Sequence, residues 1–178
     1  MSAARTAQAI AIALVVVGVL LRLAPHPWNV TPVGAAALLA GARLPTRLAL
    51  AVPIGTLAIS DVVLGMHSLW WATWGACALG VLLGTRLRSR GGAWRTAGVA
   101  VAGSTTFFVV TNAAVWAQGL LYPRTPGGLV DCFVAAIPFF RNSLLGDLLW
   151  TGILFGAWAL AVRTVTDHGE YGVGSTPR

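Results

Sequence analysis

The sequence predicts an all-α integral membrane protein, a six-transmembrane-helix bundle with both termini on the cytoplasmic side (N-in/C-in). Three observations carry this expectation. Of the 178 residues, 57% are hydrophobic and 10% charged, whereas a soluble domain needs roughly 25% charged residues to wet its surface. The apolar residues gather into long runs that lack the every-second-residue alternation of barrel strands. The twelve basic residues are all arginine, and they fall between the runs rather than along one stripe. A soluble enzyme, a disordered chain and a nucleic-acid binder are thereby excluded. The two cysteines, Cys77 and Cys132, sit in apolar surroundings at no zinc-finger spacing, so neither a disulfide scaffold nor a zinc site is expected.

The elements follow in chain order. A first apolar run covers residues 7–21, and a short second one, 33–42, follows the proline-rich stretch 25–32. Further runs cover 48–64, 69–84, 97–121 and 133–162, the last long enough to protrude or to break near Pro138. A hydrocarbon core of about 30 Å needs roughly 20 helical residues, so the second run is too short alone. The first run is kept as a helix rather than a cleaved leader. Cleavage after Ala24 would put Arg22 where a small residue is wanted. With six spans, Arg5, Arg43, Arg47, Arg86, Arg88, Arg90, Arg95, Arg163 and Arg178 share one face, and Arg22, Arg124 and Arg141 the other. The positive-inside rule places the larger set in the cytoplasm. Residues 24–32, 65–68 and 122–132 then face out. Residues 1–163 form the transmembrane domain, and 164–178, with Gly169, Gly172 and Gly174, a flexible cytoplasmic tail.

Nearly all unusual polar groups fall on the outer half, where a bundle would gather them into one outward-facing pocket. The candidate substrate-binding residues are His26, Asn29, Asp61, His67, Trp70, Trp74, Asn112, Trp116, Tyr122, Arg141 and Asn142. Intramembrane charges cost several kcal/mol and mark a pathway, a partner or a ligand. Each residue also has a structural reading. Trp28, Trp70 and Trp71 suit an interfacial belt and Asp61 and Arg141 an interhelical ion pair, while Asp147 suits a site role or a hydrogen bond to a neighbouring helix backbone equally. Cys77 is either an inert small hydrophobe or a soft axial ligand to a metal-centred molecule, with His26 or His67 as the nitrogen ligand. Ala7 and Ala11 belong to a small-xxx-small row that serves internal packing or the docking of another membrane subunit. Since HExxH, GxSxG, P-loop and paired-aspartate signatures are all absent, no catalytic residue is assigned. An enzyme or structural subunit built on Cys77 remains the rival class. A transition-metal ion held by His26, His67 and Asp61 is the rival cargo.

Four segments carry a resemblance. They are Arg22-Leu23-Ala24-Pro25-His26-Pro27-Trp28-Asn29-Val30-Thr31-Pro32-Val33-Gly34-Ala35, Ser60-Asp61-Val62-Val63-Leu64-Gly65-Met66-His67, Thr111-Asn112-Ala113-Ala114-Val115-Trp116 and Ala136-Ile137-Pro138-Phe139-Phe140-Arg141-Asn142. They resemble motifs of a bacterial family of uncharacterised six-helix membrane proteins, which looks like the S-components of energy-coupling-factor (ECF) vitamin transporters. The resemblance implies a substrate-binding subunit of the bacterial cytoplasmic membrane, without a cofactor of its own. It would be served by a separate membrane and ATPase module or act alone. Among such proteins the solitary BtuM-like cobalamin transporters are the relatives considered first. They imply cobalamin as substrate, with His26 and Cys77 as candidate ligands to its cobalt. An Ala-xxx-Ala row that docks the transporter module is matched by Ala7 and Ala11. An aromatic cavity of Trp70, Trp74, Trp116 and Tyr122 would suit so large and flat a ligand.

Overall fold

Gly41 and Gly84 explain why the shortest helix stands in the middle of the protein. A computed structural model describes residues 2–89 and 92–171, with side chains described through Arg163. It contains six α-helices: α1 Ala3–Leu23, α2 Val33–Arg43, α3 Thr46–Leu64, α4 Trp70–Gly84, α5 Ala93–Gln118 and α6 Pro126–Tyr171. A short 3-10 turn, Thr85–Leu87, follows α4. Four segments, α1, α3, α5 and Pro126–Arg163 of α6, are long and apolar enough to cross a membrane. The protein is therefore all-α and consistent with a multi-pass membrane protein.

Helix α2 spans 11 residues, about 16 Å at 1.5 Å per residue, which cannot cross a bilayer alone. It is instead the most enclosed element, with Val33 and everything from Ala35 to Ala42 buried. A helix covered all round must be apolar all round, and VGAAALLAGA is, with the exposed Arg43 at its end. Its small residues let backbones touch. A Cβ on Gly41 would overlap the Val81 carbonyl oxygen, and one on Gly84 would overlap that of Leu38. These pairs, with Ala37 beside Gly80, make α2 and α4 parallel neighbours. Beyond α2, Arg88 donates from Nε to the Gly41 carbonyl (2.8 Å) and from Nη2 to that of Leu44 (2.8 Å). It thereby caps carbonyls that the end of a helix leaves orphaned.

Helices α1 and α3 run parallel with a constant sequence offset: Gly18 meets Thr56 and Arg22 meets Ser60. Ala11 is buried and Ala7 half-buried in a core cluster with Ala36, Ala40, Ala49 and Val52. The chain's own packing covers Ala11 and part of Ala7. The opposite face of α1 is apolar and exposed at Ile12, Val16 and Leu20, as a lipid-facing surface is. Helices α5 and α6 form an antiparallel hairpin, joined where Phe108 packs against Phe133 and Phe140. The turn between them begins at Gly119, whose φ of 69° suits glycine at a helix C-terminus.

The last helix corrects the expected start and takes the unbroken one of the two forms expected near Pro138. It starts at Pro126 rather than 133, which makes Asp131 and Cys132 helical, and it passes through Pro138 without a break. The early start has a local cause. Thr125 Oγ1 accepts a hydrogen bond from the Gly128 amide (3.1 Å), and proline fits the first helical position because its missing N–H would be orphaned there anyway. Thr125→Ala is accordingly expected to cost about 1 kcal/mol, read as a lowered thermal midpoint in detergent. The expected flexible tail is helical as far as Tyr171, and 172–178, with Gly172 and Gly174, lie outside the described residues.

Candidate functional site

At the arginine-poor end the short α2 leaves space that the non-helical segment 24–32 only partly fills. Irregular backbone at membrane depth is tolerated where it is buried in protein or lines a cavity. His26, Asn29 and Thr31 of this segment line a cavity. Val30 N donates to the Pro27 carbonyl (3.0 Å), and Asn29 takes a φ of 62°, a left-handed conformation that asparagine tolerates. Trp28 stacks on Phe139 of α6 with ring centroids 6.2 Å apart, and Val30 packs against Gly146. Pinned this way, the segment roofs a cavity of about 360 Å³ to which all six helices contribute.

Two polar clusters flank that cavity. Nearer the end of α1, Arg22 Nη1 lies 2.5 Å from Asp61 Oδ1 and also donates to Ser60 Oγ. Trp74 Nε1 donates to Asp61 Oδ2 (2.9 Å), so both carboxylate oxygens have partners. Asp61 is 1% exposed, and such a charge persists only with an opposite charge and hydrogen bonds around it. Deeper in the bundle, Ser104 Oγ on α5 donates to Asp147 Oδ2 on α6 (2.6 Å). A Cβ on Gly34 of α2 would overlap the Asp147 carboxylate, so glycine keeps that space open. Arg22 and Asp147 both line the cavity, together with His26, Asn29, Cys77 and Phe107. The His26 ring is held by backbone carbonyls, with Nδ1 2.9 Å from the Pro27 oxygen and Nε2 3.1 Å from that of Arg22.

The expected site residues are only partly gathered. His26, Asn29 and Cys77 line the cavity, while Asp61 and Trp74 stand behind Arg22. Asn112 lines a smaller neighbouring space of about 190 Å³, shared with Asn29, Thr111 and Phe140. Trp74, Trp70, Trp116 and Tyr122 do not line the main cavity, so the expected aromatic box is not formed. Trp70 packs edge-on against Trp74, and Trp116 Nε1 donates to the Thr125 carbonyl (3.2 Å). His67 is exposed in the turn before α4. Arg141 and Asn142 lie on α6 away from the cavity wall, so the Asp61–Arg141 pair is replaced by Asp61–Arg22. The expected Asp147 contact to backbone is a contact to the Ser104 hydroxyl instead. Among the described residues no group of three or more His, Cys, Asp or Glu is placed to hold a metal ion. His26, His67 and Asp61 therefore do not assemble as a metal site.

Sequence reasoning missed Arg22, Ser104 and Phe107. Arg22 enters the sequence reading only as a charge of the arginine-poor face, yet it and Asp61 each fall in the last turn of an apolar helix pointing the same way, and that is a legible signal. Ser104 and Phe107 carried none, since α5 is rich in hydroxyl and aromatic residues throughout.

A protein-family model, described as a family of unknown function (DUF6580), matches residues 2–168. No curated protein and no solved structure matches the chain, so the likeness to S-components rests on the sequence motifs alone.

Proposed function

The chain belongs to the DUF6580 family, and from its own cavity we propose that it binds a small water-soluble nutrient and serves in its uptake. The observation that carries this reading is the cavity of about 360 Å³ roofed by the 24–32 segment at the arginine-poor end. The arginine bias turns that end outward in a bacterial cytoplasmic membrane, with both termini inside and the six helices acting as spans or half-spans. Interrupted helices around a buried polar site are how membrane transport proteins build substrate pockets. Uptake would draw on a separate membrane and ATPase module, as the S-component likeness implies, or proceed uncoupled.

The volume selects among vitamins. Small-molecule sites run from about 300 to 1,000 Å³, so this cavity suits a ligand well below corrinoid size. Cobalamin is kept as a second reading on one observation, that His26 and Cys77, the two candidate cobalt ligands, line the same cavity. Native mass spectrometry of the detergent-purified protein tests the proposal. A single small adduct is expected, lost in Ala76→Phe, which fills the cavity from α4. An adduct with corrinoid mass and absorption, its bands altered in Cys77→Ser, would favour cobalamin. A protein with no adduct and no uptake of labelled vitamins in cells would sink the binding reading.

A further inference from the structure

We infer that the nutrient is a small organic cation, an amine or quaternary nitrogen compound, seated with its positive group against Asp147. This rests on the binding reading above and adds the charge of the ligand. Charges within the cavity pair incompletely. Arg22 contributes a positive charge to the wall, but the 2.5 Å contact with Asp61 cancels it. Asp147 has no such partner: its described polar contact is the Ser104 hydroxyl at 2.6 Å, and no arginine or histidine among the described residues lies within ion-pair distance of it. A carboxylate inside a helix bundle without a counter-charge costs several kcal/mol, and a ligand cation is the group that would offset that cost.

Three features around the carboxylate fit this assignment. Gly34 makes room for the carboxylate itself, whose Oδ1 lies where a Cβ would stand. Phe107, one turn beyond Ser104 on α5, lines the same cavity and can present a ring, and an aromatic face with a carboxylate is a recurrent cradle for ammonium groups. Ser104 is the twelfth of the 26 residues of α5, so Asp147 lies near mid-bundle, while Arg22, in the last turn of α1, stands toward the mouth with His26 and Asn29. The cavity is therefore polarised along its depth. It takes the cationic end of the ligand inward and leaves hydrogen-bonding groups, acceptors above all, toward Arg22 and Asn29.

Calorimetric titration of the full-length protein in detergent with choline and thiamin as cations, and with pantothenate and biotin as anions, tests the inference. At least one cation is expected to bind and neither anion to bind more tightly. Asp147→Asn should weaken that cation tenfold or more, with Asp147→Glu restoring part of the affinity. An anion that binds equally well to the native protein and to Asp147→Asn would overturn the cation assignment while leaving the binding reading intact. Should Asp147 variants fail to fold, the preference of the native protein for cation over anion decides by itself. If none of the four binds, the charge of the adduct found by native mass spectrometry decides, a neutral or anionic molecule overturning the inference. The absence of any adduct together with no uptake of labelled vitamins in cells would bring down the binding reading and the inference together.

Discussion

Arg22→Met is expected to destabilise the protein by about 3–5 kcal/mol, the usual cost of removing one partner from a buried ion pair. The carboxylate left behind, 1% exposed in the native protein, would keep the Trp74 indole on Oδ2 and lose its partner at Oδ1. It would have to stay charged without compensation or take up a proton, and either route lowers stability. The companion double variant, Arg22→Met with Asp61→Leu, should recover most of the loss, because replacing both members of a buried pair by apolar groups is often neutral or better. Thermal unfolding in detergent, followed by fluorescence of tryptophans that include Trp74, gives the full double-mutant cycle. A single-variant loss below about 1 kcal/mol, the range of solvent-exposed pairs, would show that the pair is wet rather than buried.

Gly41→Ala is expected to cost about 1–3 kcal/mol or more, the range for overpacking a well-filled core. The added Cβ would overlap a backbone oxygen, that of Val81, and the Gly84 Cα lies next to it. No rotamer change relieves a clash with backbone, so α2 and α4 would have to separate along their shared seam. The cavity should suffer too, since its walls include Ala37, Leu38 and Gly80 from that same seam. Gly98→Ala is the matched control. Nothing lies within 4 Å of a Cβ at Gly98, and replacing glycine by alanine in a helix interior gains roughly 0.5–1 kcal/mol. Unfolding midpoints for the two variants should move in opposite directions, and equal shifts would sink the close-packing account.

The elements themselves were legible because membrane helices announce themselves by composition. The expected runs at 33–42, 48–64 and 69–84 agree with α2, α3 and α4 to within two residues at either end. The ends of α5 and α6 were less legible, because the reading followed apolar content and neither helix begins with an apolar residue run. Thr125 and Pro126 signalled the true start of α6 through capping chemistry, in a stretch whose low hydropathy hid the helix. Pro138 did not break α6, since a proline removes one N–H and the remaining helix, held by the α5 packing at Phe108 and Phe140, carries on around it.

The sequence by itself determined the class of protein, the approximate helices and the clustering of polar groups at one end, because these depend on transfer of residues from water to an apolar phase and are summed locally. Tertiary structure alone decided which polar groups meet. Asp61 could pair with any cation at its level, and the parallel packing of α1 on α3 chose Arg22 over Arg141. Trp70, Trp116 and Tyr122 had the right chemistry for a wall, but the rotation of α4 and α5 leaves the two tryptophans, and the α5–α6 turn leaves Tyr122, outside the cavity lining. Asp147 carried two readings in the sequence, a site role and a structural hydrogen bond, and only the fold brought Gly34 and Ser104, more than a hundred and more than forty residues away in the chain, to lie beside it. Helix rotation and register are set by the interlocking of side chains across elements distant in sequence, a property that no local window of residues contains.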